Sequence, residues 1–399
     1  MSFLRRTPTA RLLAVVALSV ALVVGGAAIA LAALGGSASA PPPKALAQAA
    51  QDALRAPAPK GVTARVRFTN GLIDGSNLEG SDPILTGASG RLWWSQDGRV
   101  RLELQASTGT DAQIVVDGPK RTWWVYYGAG NTVYRGTLPA ERRPHAAHRR
   151  WRIPTIARIQ REIDAARRRV DVSGAQPGTV ANRPAYEVRV APRRDGGLLG
   201  AAKLAWDAAT GVPLKIGVYA HGKSTPVLQL EATDIRYGPV ASDAFDAAPP
   251  KGAKVVTVRA PAGARGGRHG KPAAGAAGVA AAQARLSFRL SAPARLAGLP
   301  RREVRLIVAD GRRAALVTYG DGLGGIAVIQ ARPGRHERGR GDGGGRHELR
   351  LPEVSIDGAT GTELATALGT VITFERGGVS YTVLGSVPAV AAEAAARGL

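Results

Sequence analysis

Cysteine is absent from the 399 residues. That excludes a disulfide framework, cysteine-ligated zinc and catalytic thiols. It also excludes a lipid-modified N-terminal cysteine, so any membrane attachment must use an apolar run. Acidic residues are scarce, 30 against 54 lysines and arginines, and the formal net charge is +24. Such an excess points to a polyanionic neighbour: nucleic acid, anionic lipid or an acidic envelope polymer. No Ser-His-Asp set or pair of carboxylates stands on recognisable catalytic elements, so neither an enzyme nor a cofactor is expected. With 45% hydrophobic residues the chain has enough apolar material for about two domains with real cores.

The location of those domains is set by "MSFLRRTPTARLLAVVALSVALVVGGAAIALAALGGSASAPPPK". Arg5, Arg6 and Arg11 precede a run from Leu12 to Leu34 without a charge. This is an export signal. The run is longer than the roughly 7–15 residues of a cleaved signal and about the ~20 needed to span a bilayer. Ala38-Ser39-Ala40 offers a small-residue cleavage site, but Pro41 makes a poor scissile bond, so the reading favours an anchor over secretion after cleavage. The arginines would keep the N-terminus cytoplasmic. In either case the body is extracytoplasmic, where nucleic acid is rare and lipid head groups are close.

Residues 1–40 are therefore signal or anchor. "KALAQAAQDALRA" (44–56) reads as a short helix. From Val62 the period becomes two: "VTARVRF", "GRLWWSQDGRVRLEL" with a turn at Gln96-Asp97-Gly98, "DAQIVVDGPKRTWWVYY" with a turn at Asp117-Gly118, and "GNTVYRGTLP". A helix with Ile156, Ile159, Ile163 and Ala166 on one side interrupts the meander. Strands resume with "RPAYEVRVAP", "AAKLAWD", "VPLKIGVYA" and "TPVLQLEATDIRYG", and the first domain closes near 258. Residues 259–284 read as a Gly/Ala/Pro linker. The second unit, 285–399, carries strands at "RLSFRLS", "EVRLIVA", "AALVTYG", "IAVIQAR" and "TVITFERGGVSYTVLGSV", a basic insertion over 333–348, and a helix opened by Pro388.

About ten strands ~4.8 Å apart make a sheet far wider than two helices can cover. The sheet must curl, and its apolar face becomes either a ligand cavity or a core filled by its own side chains. The segments "GRLWWSQDGRVRLEL", "DGPKRTWWVYYGAGNTVYRGTLP", "NRPAYEVRVAP", "LAWDAATGVPLKIGVYAHG" and "DAFDAAPPKGAKVV", in that order, resemble the LolA/RseB superfamily, and the 206–222 hairpin is similar to its "D-x-x-T-G-x-P-L" turn. "YGDGLGGIAVIQAR" and "GGVSYTVLGSVPAVAAEAAARGL" resemble the second domain of the RseB/MucB branch, with Gly385-Ser386 where that branch usually has Gly-Glu. The resemblance implies an α+β fold: a curled antiparallel half-barrel (LolA-like) over short helices, plus a smaller C-terminal domain of mixed α and β. It also implies a non-enzymatic binding protein. LolA-type members carry lipoproteins or lipids, whereas RseB-type members sense such ligands and bind an anti-sigma factor.

Other motifs carry less. Gly320 to Gly325 satisfies G-x-G-x-x-G, but a β pattern follows instead of a helix, so a tight turn is expected. His336-Glu337, Asp342 and His347-Glu348 lie in an Arg-rich insertion that would repel a metal ion. His145 and His148 lie in the basic stretch "ERRPHAAHRRWR", which with Arg167, Arg168 and Arg169 is either a solvated face or a patch for anionic head groups.

The expected ligand is a lipid or the acyl chain of a lipoprotein. Its expected contacts are Val66, Phe68, Leu92, Trp94, Leu102, Leu104, Ile114 and Val116, with Trp124, Tyr126, Ile156, Ile159 and Ile163 near the mouth. The expected partners are the membrane surface and an anti-sigma factor, with no nucleic acid. A regulator of a membrane partner is favoured over a LolA-like lipoprotein or lipid carrier.

Overall fold

The structure is a computed structural model that describes residues 39–73, 87–107, 111–138, 154–193, 196–258, 278–309, 312–333 and 351–399. The apolar run 12–34, the histidines at 145, 148, 336 and 347, and most of the expected linker lie outside them. Among the described residues no helix is long and apolar enough to cross a membrane.

The fold is α+β. The N-terminal part starts with helix α1 (Leu46–Arg55), then β1 (Gly61–Asn70), β2 (Ala88–Ser95), β3 (Val100–Gln105), β4 (Asp111–Asp117), β5 (Thr122–Tyr127) and β6 (Thr132–Thr137). Helix α2 (Ile156–Arg167) precedes β7 (Val170–Val172), β8 (Gln176–Val180), β9 (Arg183–Pro192), β10 (Leu199–Asp207), β11 (Pro213–Ala220), β12 (Pro226–Tyr237) and β13 (Lys254–Thr257). These 13 strands form one open sheet in the order β13-β6-β5-β4-β3-β2-β1-β12-β11-β10-β9-β7, with β8 added on β9. It curls as a half-barrel, with its apolar side chains turned inward against α1 and the β8–β9 hairpin.

Two features of this sheet depart from the strand pattern. The three-residue β7 and the polar β8 are too short or too poor in apolar alternation to be read from sequence. β13 pairs with β6 in parallel, so the otherwise antiparallel sheet ends on a strand that crosses over to reach its edge.

The C-terminal part contains α3 (Val279–Gln283), β14 (Arg295–Leu296), β15 (Leu299–Ala309), β16 (Arg312–Tyr319), β17 (Ile326–Ala331), β18 (Glu353–Ile356), β19 (Ala359–Thr366), β20 (Gly369–Arg376), β21 (Val379–Gly385) and α4 (Ala389–Arg397). Its eight strands run β14-β15-β16-β17-β21-β20-β19-β18, all antiparallel. Gly322–Gly324 is a short 3₁₀ turn between β16 and β17, the tight turn expected there.

Two expectations need correction. The end of the proposed linker is helical: α3 buries Ala282 in the second core. "RLSFRLS" is not a strand, although Phe288 and Leu290 are buried. Its backbone is satisfied by side-chain amides instead of a neighbouring strand. Gln283 donates to Phe288 O (2.8 Å) and accepts from Leu290 N (2.8 Å), and the fully buried Gln330 accepts from Ser291 N (2.8 Å) and donates to Ser291 O (2.6 Å).

Candidate ligand-holding face

Register decides which side chains share the inner face, because residues opposite one another in an antiparallel pair point the same way. One row runs across Ala64, Leu92, Leu102, Ile114 and Val125. A second runs across Ala88, Phe68, Leu230, Ile216, Leu204 and Val188. α1 covers one end of the second row, where Leu46, Ala49 and Ala53 pack on Tyr186, Val188, Leu204 and Trp206.

Of the expected contacts, Val66, Trp94, Leu102 and Leu104 are buried in one cluster, and Phe68, Leu92 and Ile114 pack half-buried against it. Val116 is half-buried on the same face, opposite Val100 and Trp123. Trp124 and Tyr126 are not on this face. Trp124 pairs with Val115 and Arg135, and Tyr126 with Gln113 and Val133, which is the opposite side; the inward members of those aromatic pairs are Trp123 and Tyr127. Each pair placed one ring on each face, and only the register tells which.

α2 carries Ile156, Ile159 and Ile163 and buries none of them. It leans on α1, and Gln51 Nε2 donates to Pro154 O (2.9 Å). Thr155 caps it by accepting from Arg158 N.

Sequence reading missed the second row's middle. Ile216 is 39% exposed although it lies between Leu204 and Leu230 on the inner face. The alternation Leu214, Ile216, Val218 was visible in the hairpin; that it continues the Phe68 row follows only from strand order. Thus α1 covers Val188 and Leu204, the β1–β4 side chains cover one another, and the strip at Ile216, Leu230 and Phe68 is left half covered. An apolar strip in a curled sheet accepts an apolar chain, which removes from water the surface that the protein leaves bare.

The "DAATG" turn beside this strip is a fixed structural joint. Asp207 is fully buried and both its oxygens are used. Oδ1 accepts from Ala209 N (2.8 Å) and Thr210 N (3.0 Å). Oδ2 accepts from Arg183 Nε (2.8 Å) and Tyr237 Oη (2.9 Å), with the Arg183 guanidinium 4.9 Å from the Tyr237 ring. Burial, reinforced by the Asp207 charge, raises the Tyr237 phenol, so it stays a neutral donor. Gly211 has φ +68°, and a Cβ there would meet Ala53 O at 2.6 Å. The turn therefore needs glycine twice, for its left-handed backbone and for the close approach of α1.

On the opposite face Glu187 sits between Lys215 (2.5 Å) and Lys203 (3.3 Å), and Lys203 Nζ lies 5.0 Å from the Tyr219 ring. Burial raises the Glu187 carboxyl, but the two ammonium groups outweigh it and hold it below its ordinary value. Among the described residues no group of three or more histidines, aspartates and glutamates could hold a metal ion.

The two sheets touch at Ser386. Its Oγ accepts from Leu198 N (3.1 Å) and Leu199 N (3.2 Å) of the β9–β10 loop and donates to Leu368 O (2.8 Å). Gly197 approaches so closely that a Cβ would collide with the Ser386 carbonyl. A second contact runs from Ala367 N to Leu72 O (2.9 Å). A carboxylate at 386 could accept from the loop but could not donate to Leu368 O.

No protein-family profile matches the chain, and no curated protein matches it. Among solved structures it is similar to MucB in complex with MucA(peri), at 17% identity over 88% of this chain and 95% of that one, with a TM-score of 0.39. It is similar to the MucA/MucB complex of Pseudomonas aeruginosa at 19% identity over 88% and 94%, TM-score 0.39. A domain of an outer membrane lipoprotein-sorting protein from Vibrio parahaemolyticus matches at 10% identity over 50% of this chain and 95% of that one, TM-score 0.21.

Proposed function

We propose that the chain is a non-enzymatic, extracytoplasmic binding protein that holds a lipid or lipoprotein acyl chain on the inner face of the 41–258 unit and regulates a membrane partner such as an anti-sigma factor. The observation that carries the ligand reading is the half-covered apolar strip Phe68–Leu230–Ile216 between α1 and the β1–β4 core. The bound chain lies along Phe68, Leu92, Ile114, Leu230 and Ile216, with Val66, Trp94, Leu102, Leu104 and Val116 as its floor and α2 at its mouth. The 285–399 unit meets the partner. What supports coupling is that the β9–β10 loop of the ligand-holding sheet is bonded directly to Ser386.

The test is photolabelling of the full chain in membranes with a diazirine fatty acid, followed by peptide mapping. Adducts on peptides of β1, β2, β11 and β12 are expected. Adducts confined to the 12–34 run would remove the ligand site. Co-purification from detergent extract is expected to recover a membrane partner that is lost on deleting 285–399; a partner retained by that deletion, with unaided lipid exchange between vesicles, would replace the regulator by a carrier.

A further inference from the structure

The outer side of α2 carries unpaired arginines around the exposed Glu162, and the ligand reading does not use it. Arg158 and Arg161 fall on the same side of the helix as Ala165, Arg168 caps its C-terminus and Arg169 follows in the turn, and all four are exposed. None forms an ion pair among the described residues; the one pair on this helix joins Arg167 to Asp164 at 3.6 Å. At the helix N-terminus Ile156 is 40% exposed. Four bare guanidinium groups on one side of the molecule, with Ile156 on the opposite side of the helix beside Ile159 and Ile163, make a surface that favours anionic head groups.

A second observation says where this face is held. Tyr186 Oη donates to Pro42 O (2.6 Å), Lys44 bridges to Ala175, and α1 follows immediately, packed on α2. Pro42 is therefore pinned on the side of the molecule that carries α2. Leu34, the end of the uncharged run, is eight residues earlier. Eight residues reach at most about 30 Å. With the run in a bilayer, this side of the molecule stays within that distance of the head groups, and an acidic protein would have to compete with a lipid surface already there.

We propose that the arginine face of α2 docks on the anionic bilayer into which the 12–34 run is inserted, presenting the mouth of the ligand-holding face to the membrane. This rests on the run being retained as an anchor, and the test separates the two. Each cation brought to an anionic surface adds roughly fivefold to the local equilibrium. The docking is electrostatic, so it weakens with salt.

The absence of cysteine permits a single spin label at Ala165→Cys, with Val308→Cys in the second sheet, 74% exposed, as the reference position. The full chain is reconstituted into phosphatidylcholine vesicles with or without phosphatidylglycerol. Co-flotation with both vesicle types checks the anchor; failure to float contradicts the anchor and with it the proposal. In floated vesicles, accessibility of the Ala165 label to an aqueous nickel chelate is expected to fall by roughly threefold or more when phosphatidylglycerol is present. It should return in 1 M salt, and Arg158→Glu with Arg161→Glu should abolish the change while circular dichroism and the Val308 label stay as they are. An Ala165 label equally wet in both vesicles would overturn the docking. Protection by added polyglutamate but not by phosphatidylglycerol would give the face to an acidic protein and overturn it too.

Discussion

The two sheets are built from the same alternating strands and end in opposite states of closure. In the C-terminal sheet Val317, Val328, Ile356, Ile372 and Val383 are wholly inaccessible to water. In the N-terminal sheet no inner-face side chain as large as valine reaches that state in the main cluster, and Ile216 keeps 39% of its surface. The difference lies in what is available to cover the strands. α4 presents Ala392, Ala395 and Ala396, small enough to lie close on β20 and β21, and 286–299 adds Phe288, Leu290 and Leu296 to the filling. The longer sheet has α1 on one end and α2, which buries nothing. A core completed by its own chain serves stability; one left incomplete has room for something else.

That contrast predicts the largest effect for Ile372→Ala, which opens a cavity in the closed core and should destabilise it by about 3–4 kcal/mol, measured by urea unfolding followed by fluorescence. A loss below about 1 kcal/mol would mean the second core is no better packed than the first. Next, Asp207→Ala should cost the N-terminal sheet about 3 kcal/mol, because it strands Arg183 and frees two turn amides. Hydrogen exchange should localise the loss to the 206–213 hairpin and α1, and protection retained there would contradict the joint.

How much of this was legible in the sequence follows from what each level of structure depends on. Period-two alternation located β1–β6 and β9–β12, and Asp-Gly turns located the β2–β3 and β4–β5 hairpins, because those signals are local. "RLSFRLS" has the same alternation and is not a strand: side-chain amides satisfy it, Gln283 just before it and Gln330, distant in sequence. Trp124 and Tyr126 were expected near the mouth, and the register puts them on the opposite side from Ile114, because adjacent aromatics fix the alternation but not its sense. Ile216 joins the apolar strip through β12 and β1, neighbours in space that no spacing in the hairpin encodes.

Two glutamates sharpen the comparison with smaller effects of opposite sign. Glu187 is held below its ordinary value despite burial, so the stability it contributes is present above about pH 4.5 and is lost as pH falls through its lowered value. Glu187→Gln should cost about 1 kcal/mol at pH 7 and flatten the acid limb of the pH–stability curve. Glu363 is raised by burial, with Glu393 adding to it, and Glu363 Oε2 is buried without a partner among the described residues. Its stability contribution is full below pH 4.5 and declines as pH rises through the raised value. Glu363→Gln should therefore stabilise at pH 7 by about 0.5 kcal/mol, read as a small rise in Tm that vanishes near pH 4. A drop in Tm at pH 7 would contradict that assignment.

Whether the N-terminal sheet keeps its apolar strip for a ligand is decided by Ile216→Arg. A residue that only completes a core would lose several kcal/mol when replaced by a charge. A residue lining a half-open strip lets the arginine head reach water while it blocks the bound chain. The measurement is the affinity of the protein for a fluorescent fatty acid together with the unfolding midpoint of the same samples. Affinity reduced by about tenfold or more is expected, with stability changed by less than about 1 kcal/mol. Unchanged affinity with a collapse in stability would contradict it.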